Sequence, residues 1–244
     1  MVSKSQPYTI QGYPVRESRR ARRIRVQVAT SGDVEVVVPT GYRRSRVTQF
    51  LRDKQAWIEQ TQGRMINAQQ GRSPETRQVQ PSYIFLRALD QLWVVEYRPT
   101  AASGIQIRAA SNHLQLSGAI HQVSLCQTAL QQWVRHKAKG HLVSWLDQVS
   151  REIRLPYKQA TIRRQKTRWG SCSSRKSINL NDKLLFLSPE LVRYVLVHEL
   201  CHTVHLNHSA AFWALVGQWE PEYRDLDRQL KDGWQYVPDW LTAR

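Results

Sequence analysis

At 244 residues the chain is long enough for one large domain or two modest ones, with an ample core in either case. Its 41% hydrophobic and 23% charged content excludes global disorder, and no apolar run approaches the roughly 20 residues of a membrane span, so no membrane partner is expected. The 36 Lys and Arg against 19 Asp and Glu, a formal charge of +17, favour an anionic partner (nucleic acid, nucleotide or acidic protein) or else simply a basic surface.

The opening MVSKSQPYTI lacks the apolar segment of a secretory signal. Residues 16–25 (RESRRARRIR) read as a basic lead-in lying on the surface. Residues 24–29 and 34–39 run apolar or alternate around Ser31, Gly32 and Asp33, which predicts a β-hairpin. Val47, Phe50, Leu51, Trp57 and Ile58 recur at helical spacing and place a helix over 43–62. The polar stretch 67–81, with its Gly and Pro, reads as a linker. Four short segments, 83–88, 92–98, 105–109 and 113–116, are separated by turn residues and predict an antiparallel meander. From 122 to 149, Leu125, Leu130, Trp133, Val134, Leu142, Trp145 and Leu146 mark a long amphipathic helix, with Gly140 a weak point. The expected fold class is α+β, with a β-rich region containing one helix over 1–118 and a helix-rich unit with a small sheet over 119–244. Three scattered cysteines, Cys126, Cys172 and Cys201, suggest reduced thiols and a cytoplasmic setting.

The segment 195–213 reads VLVHELCHTVHLNHSAAFW and contains the H-E-x-x-H pattern His198-Glu199-Leu200-Cys201-His202. Its helix has a marked start, with Ser188 able to cap, Pro189 suited to the first turn and Glu190 to the positive helix end. Four residues apart, His198 and His202 lie on one helix face, and their nitrogens can converge on one ion at about 2.0–2.1 Å. Glu199, rotated by about 100°, sits beside that ion and can take the proton of a water the metal has acidified. The run Leu191, Val192, Val195, Leu196 and Val197 makes the helix substantially buried. Two buried histidines with a buried glutamate need a partner, and a zinc ion (Zn2+) satisfies them directly.

Candidates for a third ligand are His205, His208, Glu220 and Glu222. On a continuing helix His205 would lie about 10 Å beyond His198, too far to share its ion. Asn207-His208 before Ser209 suggests that the helix ends and a new one begins with Ser209 as N-cap, so that a returning chain presents His208. The His202 to His208 spacing is also that of the longer H-E-x-x-H-x-x-G-x-x-H pattern. His208 is therefore the expected third ligand, with His205 supporting the site or lying on the surface.

The stretches RWGSCS (168–173), INLN (178–181), VHELCH and NHSAAFWALV, in this order, resemble the YgjP-like family of metallopeptidases, related to the WLM and SprT-like zincins. The resemblance covers about residues 15–235. It implies a zincin-like metallopeptidase domain over 119–244, zinc held by His198, His202 and His208, and Glu199 as catalytic base. It implies a peptide or protein substrate without saying which one.

Read by itself, RWGSCS is a turn between strand-like 160–164 and 177–180, approaching the catalytic helix. Zincins place an edge strand beside the metal, with which an extended substrate pairs. The segment 177–180 is the candidate strand, which makes Ile178 and Asn179 candidate substrate contacts. Arg168 is placed either to stabilise a developing oxyanion or to tie the turn to a carboxylate. Cys172 and Cys201 read as small buried thiols. Phe212, Trp213 and Leu215 read as packing behind the site, 221–231 as a closing helix, and the aromatic tail 233–244 as a segment folded back onto the surface. Two further activities remain open. Arg163, Arg164, Lys166 and Arg168 could hold nucleotide phosphates for a phosphohydrolase. Together with Arg19, Arg20, Arg22 and Arg23, the same cations could bind nucleic acid for a SprT-like protease acting there.

Overall fold

The computed structural model describes residues 8–28, 32–70 and 74–242. The chain divides into two compact units, Met1–Gly71 and Arg72–Arg244. In the first, β1 (Tyr8–Ile10), β2 (Tyr13–Ser18), β3 (Arg25–Val28) and β4 (Val34–Pro39) form a sheet of order β1-β2-β4-β3. The expected hairpin is the antiparallel β3–β4 pair, although Ser31 of its turn lies outside the described residues. Part of the basic lead-in is strand rather than surface coil. β2 pairs parallel with β4, because Val15 is buried opposite Val36, and Arg16 reaches Glu35 at 3.0 Å. Helix α1 (Arg44–Gln70) is longer than its apolar spacing suggested, and it buries Val47, Leu51 and Ile58 against Val34, Val36 and Val38.

The second unit opens with β5 (Tyr83–Leu86), β6 (Gln91–Pro99), β7 (Ile105–Ala110) and β8 (His113–Gly118). The predicted meander is corrected, since the order is β5-β6-β8-β7 and β6 runs parallel to β8. Leu114 and Leu116 of β8 are fully buried and need a central position. β7, mostly exposed and carrying Arg108, takes the edge. Helix α2 (Val123–Ile153) lays Cys126, Leu130, Trp133, Val134, Leu142, Leu146 and Val149 into the core, and Gly140 does not interrupt it. Trp133 meets Trp93 of β6 edge-on at 5.1 Å. The change of periodicity near residue 119 thus falls inside one core, and the units part at 71/72 instead.

A three-stranded sheet follows, of β9 (Gln159–Arg163), β10 (Gly170–Cys172) and β11 (Ser177–Asn181), in the order β10-β11-β9. The chain then passes through a 3-10 turn (Asp182–Phe186) into α3 (Pro189–Cys201), α4 (Ala210–Trp219), α5 (Tyr223–Asp232) and α6 (Asp239–Thr242). α2 and α3 share the core with both sheets. The aromatic tail does not lie on the surface. Val237, Trp240 and Leu241 are buried in that same core, and Trp240 packs against Phe186. The architecture is α+β. Among the described residues no helix is long and apolar enough to cross a membrane.

Candidate metal centre and active site

α3 begins where its first residues dictate. The Ser188 hydroxyl accepts from the Leu191 amide, and Pro189 occupies the first turn, where no amide donor is needed. Leu191, Val192, Val195, Leu196, Val197 and Leu200 anchor the helix in the core, so the functional side chains stand on a rigid base. His202 caps its C-terminus, and the amides of Thr203, Val204 and His205 close the last turn onto Leu200 and Cys201. Ser209 then caps α4, accepting from the Phe212 amide. The reversal between these caps brings His208 back over α3.

One ring nitrogen from each of His198, His202 and His208 lies within 4.8 Å of the other two. The Nε2 atoms of His198 and His208 stand 3.1 Å apart. Nitrogens about 2.0–2.1 Å from a tetrahedral ion are about 3.3 Å from one another, so the rings already stand near ligating separation. Burial pushes the His198 imidazolium down to about 3, assisted by the charges of His202 and His208. Burial lowers His202 as well. Both are therefore neutral at pH 7, the state that binds a metal. His202 Nδ1 lies 2.9 Å from the His205 carbonyl, to which it donates, and this leaves Nε2 to face the cluster. His205 thus contributes through its backbone.

The aromatic residues expected to pack behind the site instead touch its imidazoles. Phe212 stacks on His202 at 4.4 Å and Trp213 on His208 at 5.5 Å, with Tyr223 stacked behind Trp213 at 5.3 Å. Helical spacing of Phe212 and Trp213 revealed a packed face but could not reveal what it packs on.

Glu199 is only 5% exposed, and burial pushes its carboxyl up to about 8, with the Arg168 charge pulling the other way. Its Oε2 is buried without a hydrogen-bond partner, which is rare unless a ligand or water is to satisfy it. Its carboxylate lies against the backbone of β10, and a Cβ on Gly170 would meet Oε1 at 2.5 Å and Cγ at 2.7 Å. Gly170 is therefore empty of side chain because Glu199 fills that space. RWGSCS carried this signal in its glycine, which sequence reasoning read only as part of a turn.

Arg168 is exposed, and its charge reaches Glu199. Asn181, fully buried, donates to the carbonyls of Gln165 and Arg168 at 2.9 and 2.7 Å. Lys183 adds a bond to Gln165 at 3.2 Å. These contacts hold the 165–168 turn from below. The expected edge strand needs correcting. β11, with Ile178 and Asn179, is the central strand, paired with β9 on one side and β10 on the other. Ile178 is 1% exposed, and Asn179 bonds the Ser171 hydroxyl at 3.3 Å. The open edge beside Glu199 belongs to β10, so Ile178 and Asn179 cannot present backbone to a substrate.

Three converging imidazoles beside a buried carboxyl whose Oε2 lacks a partner are a donor set that fits one zinc ion, and the arrangement has the form found in H-E-x-x-H metallohydrolases. The chain belongs to the YgjP-like metallopeptidase family, whose metallopeptidase-domain model matches residues 22–233. Among solved structures, the metallopeptidase zymogen abylysin of Pyrococcus abyssi is 23% identical, with a TM-score of 0.36, over 40% of this chain and 98% of its own. That likeness is too slight to carry structural detail across. No curated protein matches the chain.

Proposed function

We propose that the chain is a zinc metallopeptidase in which His198, His202 and His208 hold the ion and Glu199 is the general base. The observation that carries the reading is the convergence of three imidazole nitrogens within 4.8 Å beside a buried glutamate with an unpartnered Oε2. Bound there, zinc would acidify a water and polarise the scissile carbonyl. Glu199 takes the proton from the attacking water and returns it to the leaving amine, a role that suits a carboxylate whose Oε2 has no other partner. Gly170 lets that carboxylate lie flat against β10. An extended peptide adds to the free edge of β10, which holds it beside Glu199. Arg168 stands at the same end of the strand, where its guanidinium can face a developing oxyanion. The unpaired thiols of Cys126, Cys172 and Cys201 fit a reducing, cytoplasmic setting.

The phosphohydrolase reading is weaker. Arg164, one of its four phosphate-binding candidates, is committed to Asp182 at 2.7 Å and to Gln131 at 2.7 Å. The test is metal content together with turnover of casein by the wild type and by Glu199→Gln. The variant keeps stoichiometric zinc and loses about 10²–10⁴-fold in kcat. Turnover within about tenfold of wild type would remove Glu199 as the base.

A further inference from the structure

Within its own sheet and turns, the proposed substrate edge is flanked by cations alone. No Asp or Glu occurs between Glu152 and Asp182, the stretch that builds the whole β9-β10-β11 sheet and its turns. At one end of β10 stand Lys166 and Arg168, and at the other Arg175 and Lys176, all four exposed. None of them is ion-paired among the described residues, whereas Arg164 of the same stretch is. The first pair is also held in place. Asn181 and Lys183 grip the carbonyls of Gln165 and Arg168 from the core, so the turn that carries Lys166 and Arg168 is fixed before a ligand arrives.

The backbone between the pairs is open in register. The Asn181 amide bonds the Trp169 carbonyl and the Ser173 amide bonds the Ser177 carbonyl, so by antiparallel alternation Trp169, Ser171 and Ser173 face β11. Gly170 and Cys172 then turn their amides and carbonyls outward. A peptide paired with those groups runs from the Lys166–Arg168 end to the Arg175–Lys176 end, with its alternate side chains near the cations.

We propose that this site selects extended peptide segments with acidic side chains on either side of the scissile bond, the carboxylates meeting Lys166 and Arg168 at one end and Arg175 and Lys176 at the other. The proposal rests on the metallopeptidase reading for the place of cleavage, but not for the binding itself. Strand pairing supplies register without regard to sequence, and the four cations add the preference and speed the encounter.

Binding is therefore measured on zinc-loaded Glu199→Gln protein, by fluorescence anisotropy of labelled peptides that differ only in carrying Asp and Glu, Asn and Gln, or Lys and Arg. The acidic peptide should bind about tenfold more tightly than the neutral one at low salt, since exposed ion pairs contribute a few-fold each. Salt should erode that margin. Adding Lys166→Glu with Arg168→Glu should abolish the margin, as should Arg175→Glu with Lys176→Glu. The charge-matched control Arg108→Glu with Lys139→Glu, on β7 and α2, should keep it. Equal binding of acidic and neutral peptides, or the same loss in the control, overturns the proposal. So does an unlabelled oligothymidylate that binds these four positions more tightly than the acidic peptide, which would assign the cations to nucleic acid. Wild-type cleavage separates the two readings. Acidic peptides bound but never cut would sink the peptidase assignment alone, while neutral and acidic peptides bound and cut alike would sink only the acidic preference.

Discussion

Glu199 and Gly170 occupy one space between them. Because a methyl group at position 170 would meet Oε1 at 2.5 Å and Cδ at 2.8 Å, Gly170→Ala must push the carboxylate off β10. A displacement of about 1 Å at a reacting group costs on the order of 10²-fold. The expected result is a fall of that size in kcat with zinc content, fold and KM retained. A Gly170→Ala enzyme with wild-type kcat would show that the carboxylate position against β10 does not matter to the reaction. His208 and His205 differ in the same residue-level way. His208 offers a ring nitrogen to the cluster, whereas His205 offers a carbonyl that any residue supplies. His208→Ala should therefore lose most of its zinc in metal analysis while His205→Ala keeps it, and the opposite pattern would displace His208 as third ligand.

At the scale of elements, the turn between β9 and β10 is held by side chains from the end of β11 and the segment after it. Lys183, 3% exposed, reaches the Gln165 carbonyl and lies over the Trp234 ring at 5.0 Å. Trp234 in turn stacks on Trp169 at 4.2 Å. Burial pushes the Lys183 ammonium down from 10.5 to about 8, against the pull of Asp182. The folded chain then binds fewer protons than the unfolded one between those values. Stability gained from this group is present above pH 10.5 and lost as pH falls through about 8. Urea titrations across that window should show wild type gaining up to roughly 3 kcal/mol relative to Lys183→Met as pH rises. Parallel profiles for the two proteins would mean that the ammonium is not strained by burial.

Across the whole molecule, the candidate site lies entirely in the unit Arg72–Arg244, which carries its own core from β5 to α6. A chain of residues 72–244 alone should fold and bind one zinc with its melting temperature raised by the metal, as expected when a ligand binds only the native state. Failure to bind zinc would assign the first unit a part in forming the site. Within the same core, Trp240 is 1% exposed near the end of the chain. Trp240→Ala should cost about 3–5 kcal/mol in urea unfolding, the range for deleting a buried aromatic. A cost below about 1 kcal/mol would mean that the tail folds onto the surface after all.

How much of this was legible in advance follows from the range of the interactions concerned. Local signals placed α3 and its neighbours well. Ser188, Pro189 and Ser209 act on amides two or three residues away, and H-E-x-x-H spacing depends only on helical pitch, so the candidate ligands and base could be named from the chain alone. α1 and α2 were legible by periodicity, though their ends ran on past the apolar pattern. Pairing partners were not legible. β8 inserted between β6 and β7, and β11 took the centre of its sheet, because strand order is decided by which apolar faces must be covered on both sides, a property of residues far apart in sequence. The tail looked like surface because it is short and aromatic, and it is buried because Phe186 and the other partners of Trp240 come together only once the core has assembled. Residue identity and local spacing thus determined the candidate donor set and its helix, while the open β10 edge, the clearance at Gly170 and the aromatic support of the imidazoles were decided only by tertiary packing, since each needs two segments brought together that no local rule relates.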